Sequence, residues 1–140
     1  MAFREKFAWF MVALLTAAAG FYAFEVGAHW LAVGEAPPPS IKLAWVYVGI
    51  VVIGVIVGAS TLVVGNPEEA DAPADERERR AIDKAGNWSG YVLAFPAIAG
   101  VLHYWSSMDG NLLFHTVVGA LLACQIAEYA FRIWLFRRGG

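Results

Sequence analysis

Apolar residues gather in four long runs, residues 7–33, 43–64, 88–108 and 112–136, separated by short polar or proline-rich breaks. A hydrocarbon layer of ~30 Å takes about 20 residues of helix, so each run is long enough to cross one. The breaks fall where stops belong. Gly34 to Ser40, with Pro37-Pro38-Pro39 inside it, follows the first run, Asn66-Pro67 the second, and Ser106 to Asn111 the third. Tryptophans sit near the run ends (Trp9, Trp30, Trp45, Trp88, Trp105 and Trp134), as membrane-interface belts require. The pattern predicts an all-α fold, a single integral membrane four-helix bundle spanning residues 1–140.

Composition moves the solvent from water to lipid. With 59% hydrophobic residues and a mean hydropathy of +0.57, the chain has too little polar surface for a soluble domain. Its first run has a signal-peptide flavour, a basic start followed by small residues at Ala17-Ala18-Ala19-Gly20. The apolar stretch continues past them as Phe21-Tyr22-Ala23-Phe24, so a retained helix is expected.

Charge then sets orientation. Of the ten basic residues, only Lys42 lies in a connection on the far side. Arg4, Lys6, Arg77, Arg79, Arg80, Lys84, Arg132, Arg137 and Arg138 all fall on the side of the termini and the 66–86 loop. The positive-inside rule places that side in the cytoplasm, giving N-in/C-in topology in a multi-pass protein. The net charge is −2 and the bases form no stripe, which excludes nucleic acid as a partner.

Small residues supply the expected packing surfaces, because helices in lipid gain little from hydrophobicity and must bring their backbones close. Gly54-x-x-x-Gly58 marks the second run, Gly90-x-x-x-Ala94 the third, and Gly119-x-x-x-Ala123-x-x-x-Ala127 the fourth. The second run has no ionisable residue between Trp45 and Val64, which suits a structural or oligomer-forming role in a homo-oligomer or larger membrane complex. Cys124, the one cysteine, lies in an apolar run and reads as a small packing residue.

The 66–86 loop begins loose and acidic and ends in Asp75-Glu76-Arg77-Glu78-Arg79-Arg80. Asp75 and Glu78 have capping-box spacing, and Glu76 with Arg80 is one of several i, i+4 pairs, so a short charged helix should run into the third span. Asp75, Glu76, Arg77, Arg79 and Arg80 form either a solvated face or a partner surface. Seven acids against four bases across the loop disfavour tight binding to anionic lipid.

Titratable side chains inside the runs are the functional candidates. His103 and His115 each lie six residues from Asp109, the middle of the outer hairpin, and His29 lies four residues before Val33. At ~1.5 Å per residue these histidines share one depth, with Glu25 a turn deeper. Imidazole and carboxylate ligands suit a transition metal, and two opposed histidines suit a haem. The same residues also suit proton handling, or simple anchoring at the headgroups beside Trp30, Tyr104 and Trp105. In the fourth run Gln125, Glu128 and Arg132 share a face, with Arg132 placed to pair with Glu128 one turn away; the alternative is a carboxylate coupled to protons or substrate.

Three strings, Phe3-Arg4-Glu5-Lys6-Phe7-Ala8-Trp9, Asp75-Glu76-Arg77-Glu78-Arg79, and Glu128-Tyr129-Ala130-Phe131-Arg132 with Arg137-Arg138, resemble a group of small uncharacterised bacterial four-helix inner-membrane proteins. The resemblance implies a bacterial inner (plasma) membrane location and the same four spans, and brings no activity or cofactor. Size and span number are also similar to small multidrug-resistance transporters, which use a carboxylate in the first helix. Glu25 lies toward the outer end of its helix, so that likeness is architectural.

No nucleophile–base set or phosphate loop is present in the sequence. The expected function is therefore a non-enzymatic structural or regulatory subunit of a membrane assembly. The alternatives are a metal or haem protein using His29, His103, His115 and Glu25, and a proton-coupled small transporter.

Overall fold

The computed structural model describes residues 3–138 apart from Asn66, so that part of the expected second stop lies outside the described residues. The described residues form α1 (Phe3–Val33), α2 (Ile41–Gly65), a short α3 (Pro67–Asp71), α4 (Glu76–Ser107) and α5 (Gly110–Arg138), with no strand among them. Three helices are long and apolar enough to cross a membrane: α1, the Ala44–Gly65 part of α2, and α5. The fourth expected run falls in the later part of α4, where Ser89, Pro96, His103 and four Trp or Tyr residues dilute the aliphatic side chains. It is helical but does not join that set.

Helix ends follow local chemistry. Asp75 opens α4 with a full capping box: its Oδ1 accepts the Glu76 N–H at 2.6 Å, and Glu78 Oε2 accepts the Asp75 N–H at 3.2 Å. The charged segment is thus continuous with α4, whereas the stretch expected to be loose folds in part as α3. Gly34 closes α1 at φ +81°, its N–H donating to the Trp30 carbonyl at 2.7 Å. Met108 closes α4 in the same left-handed region, at φ 55°, and Asp109 then caps the start of α5 by accepting the Leu112 N–H at 2.9 Å. A side chain costs about 1 kcal/mol in that conformation. Met108→Gly should therefore raise the thermal unfolding midpoint of the detergent-solubilised protein, by about 0.5–1 kcal/mol in stability; a lowered midpoint would show that the Met108 side chain contributes more than its backbone costs.

The helices stand in a row, in the order α2, α1, α5, α4. α4 pairs most extensively with α5, α5 with α1, and α1 with α2, while among the described residues no pairing joins α2 to α4. A closed bundle would bring those outer helices together, so this bundle is open along one side. Ala8, Met11, Leu15, Ala18 and Tyr22 form the buried seam of α1 at alternating three- and four-residue steps. α2 lies against α1 at its glycines. A Cβ on Gly54 would stand 2.6 Å from Leu14 Cδ1, and Gly58 lies directly beneath the Phe10 ring. Between α4 and α5, Ala81, Ala85 and Ser89 are buried at four-residue steps, and Leu135 packs on them with Trp88, Phe131 and Phe136 around. Gly100 is held close to Thr116, whose Cγ2 would be 3.0 Å from an added Cβ.

Both termini lie at the same end of the row. Arg4 Nε meets Glu78 at 3.1 Å, Arg137 Nε meets Glu5 at 3.0 Å, and Arg77 donates to the Phe136 carbonyl at 3.3 Å. Lys84 lies 5.1 Å from the Trp88 ring, Arg137 5.5 Å from Trp9, and Arg138 4.5 Å from Trp134. Cations stacked on tryptophans fit a membrane interface, where each ring presents an apolar body and an electron-rich face.

Candidate functional site

The α1 seam continues beyond Tyr22 at the same spacing, but its next two positions are Glu25 and His29. Here, at the end opposite the termini, α1, α2 and α5 part and leave a groove of about 420 Å³. Tyr22, Glu25 and His29 line it from α1, Tyr47 and Val48 from α2, and Phe114 and His115 from α5. Pro37 and Pro38 of the α1–α2 connection form its rim. Glu25 and His29 are exposed while His115 is half-buried, so the polar groups sit at the mouth and along one wall.

His115 organises the wall. Its Nε2 lies 2.8 Å from the Pro37 carbonyl, which can only accept, so Nε2 carries a hydrogen. In the neutral ring Nδ1 is then an acceptor, and the Tyr22 hydroxyl donates to it at 2.6 Å. Asn111 adds a second tie, its Nδ2 donating to the Ala36 carbonyl at 3.3 Å. These bonds fasten the proline-rich connection onto α5 and hold the groove open. Tyr22 also meets Tyr47 edge-to-face, with ring centroids 6.0 Å apart, and Phe114 packs edge-on to His115 at 5.3 Å. The Tyr47 hydroxyl is buried without a hydrogen-bond partner among the described residues. A groove walled by aromatic faces, with a carboxylate at its mouth and an unspent hydroxyl, has the chemistry to hold an apolar molecule that carries positive charge.

Of the four residues expected to share an outer cluster, the fold brings together Glu25, His29 and His115 and leaves His103 out. His103 is exposed on α4, and α5 stands between α4 and α1 in the row. Among the described residues no group of three or more His, Cys, Asp or Glu side chains is disposed to hold a metal ion. Both ring nitrogens of His115 are already occupied by Tyr22 and Pro37.

The other sequence-selected residues lie elsewhere. Glu128 Oε1 pairs with Arg132 Nη2, and Arg132 also stacks 4.8 Å from the Tyr129 ring. Gln125 is exposed on α5 and takes no part in that pair. Gly54 and Gly58 pack within the chain, whereas Gly119 is exposed with nothing within 4 Å and Ala123 is half-buried. In the charged segment, Asp75 serves as the cap and Arg77 reaches Phe136. Glu76 and Arg80 form an exposed pair at 2.6 Å, and Arg79 is exposed beside them.

Tyr22 and Tyr47 are the groove residues that sequence reading passed over. Tyr22 could have been found, because it precedes Glu25 on the same seam; nothing in the sequence pointed α2 and its Tyr47 toward that seam. Comparison with protein-family models, curated proteins and solved structures gives no match, so the functional reading rests on this geometry.

Proposed function

We propose that the chain is a small bacterial inner-membrane protein with both termini in the cytoplasm, and that its outer-leaflet groove binds a lipophilic cation, either for transport or as a sensor. The carrying observation is that Glu25 is, among the described residues, the one acidic side chain on a groove walled by Tyr22, Tyr47, Phe114 and His115. Three helices have the length and apolarity of spans. α4 runs antiparallel beside α5 across a tight turn, which supports a fourth crossing. The concentration of basic side chains at the end of the termini supports the cytoplasmic assignment.

Tetraphenylphosphonium and tetraphenylborate have the same shape and opposite charge, so they separate charge recognition from simple partitioning. The purified protein in nanodiscs is expected to bind the phosphonium and not the borate, as read by equilibrium dialysis. Glu25→Gln should weaken phosphonium binding at least tenfold, or about 1.4 kcal/mol. Equal uptake of both ions, or an unchanged affinity in Glu25→Gln, would refute the reading.

A second reading, a structural or regulatory subunit, is favoured by Gly90 and Gly119. Both are exposed, and a Cβ added to either would meet nothing within 4 Å, so these small residues are unused in the packing of this chain. They would let another helix approach closely, in a second copy or in a different subunit. Gly119→Leu should then abolish a cross-linked oligomer in native membranes without lowering the stability of the chain; a monomer before and after substitution would exclude it.

A further inference from the structure

A second cavity, unrelated to the groove, lies at the end of the termini where the row is open. It measures about 310 Å³, and the residues lining it include Arg4 and Phe7 of α1, Ala59 and Val63 of α2, Ile82 of α4 and Arg132 of α5. Because α2 and α4 do not pair, the cavity has apolar walls on both sides and two cationic side chains reaching it from the middle of the row.

Neither guanidinium is fully engaged. Arg132 is held by Glu128 through Nη2, but its Nε is buried with no hydrogen-bond partner among the described residues. Arg4 binds Glu78 through Nε and donates to the Ala72 carbonyl through Nη2, and its side chain remains a third exposed. At this end of α1 and α5, Arg4, Lys6, Arg132, Arg137 and Arg138 outnumber Glu5 and Glu128. On these two helices the balance is positive, whereas the 66–86 loop is acidic.

We propose that this cleft holds one anionic phospholipid, with its phosphate between Arg4 and Arg132 and an acyl chain in the gap between α2 and α4. Three features select that occupant. The cleft joins cationic donors to an apolar slot, which matches a phosphodiester attached to a hydrocarbon chain and not a free anion. It opens between membrane helices, where lipid is the surrounding medium. Arginine forks suit phosphate oxygens, and basic pockets between membrane helices are a recurrent form of lipid site. The bound lipid closes the open side of the row and compensates donors that the chain leaves unpaired. Occupancy of the cleft does not depend on the ligand of the groove.

The test compares thermal unfolding of the full chain in detergent with phosphatidylglycerol, phosphatidylcholine or inorganic phosphate added at equal concentration. Phosphatidylglycerol is expected to raise the midpoint well above the phosphatidylcholine value, with no shift from inorganic phosphate. Arg4→Gln should reduce the difference. The paired change Glu128→Gln with Arg132→Met, which removes both charges together, should abolish it. Val63→Trp, which fills the slot without touching a charge, should also abolish it. Equal effects of the two lipids, an equal effect of inorganic phosphate, or a phosphatidylglycerol preference that survives both the paired change and Val63→Trp would overturn the proposal.

Discussion

Glu128→Gln is expected to destabilise the protein by about 3 kcal/mol, more than any other single substitution considered, because it strands a buried cation. Arg132 is 22% exposed and Glu128 21%, and among the described residues the guanidinium already has one unpartnered nitrogen. Arginine cannot discharge itself by losing a proton, so the loss of its counter-ion is uncompensated. The reverse change, Arg132→Met, should cost less, since methionine retains much of the apolar packing of the arginine stem. Combining the two should restore most of the stability, because no charge then remains to be buried. Unfolding in mild detergent with added dodecyl sulfate provides the measurement. If Glu128→Gln lay within about 0.5 kcal/mol of the native protein, the pair would be behaving as a solvated surface bridge.

The second large effect is expected at Gly58, where substitution by leucine should dislodge α2. The helix packs on α1, with only α3 beside it as a further neighbour, and the contact is made where Phe10 and Leu14 sit over Gly58 and Gly54. Overpacking of this kind costs about 1–3 kcal/mol, and here little else holds the helix in place. Cysteines introduced at positions 14 and 54, in a Cys124→Ala background, should cross-link efficiently in membranes. Adding Gly58→Leu should largely remove the cross-link. An undiminished cross-link would mean that the Phe10 ring can swing aside and that the glycine is not needed for close approach.

Much of the fold was legible because long apolar runs bounded by proline, glycine and polar breaks mark where helices begin and end. The four runs, the Asp75–Glu78 cap and the Glu128–Arg132 pair are local or one-turn features, and each is found in the structure. The short α3 and the diluted apolarity of α4 were read less well. α3 rests on contacts to α1 and α2 that no local pattern encodes.

The groove shows the boundary most clearly. Position along the chain fixes how far a residue lies from a helix end, since rise per residue is constant, so the sequence could place His29, His103 and His115 near helix ends without coordinates. Which way each residue faces, and beside which neighbour, depends on the order of the helices in the row. That order separated His103 from the other two, and it brought Tyr47 of α2 to Tyr22, whose ring also meets His115. Sequence thus determined the helices, their charged ends and the distance of their polar residues from those ends. The tertiary structure alone decided the azimuth, because small-residue contacts such as Gly58 under Phe10 and Ala85 against α5 are set by shape between distant segments, which hydrophobic periodicity does not record.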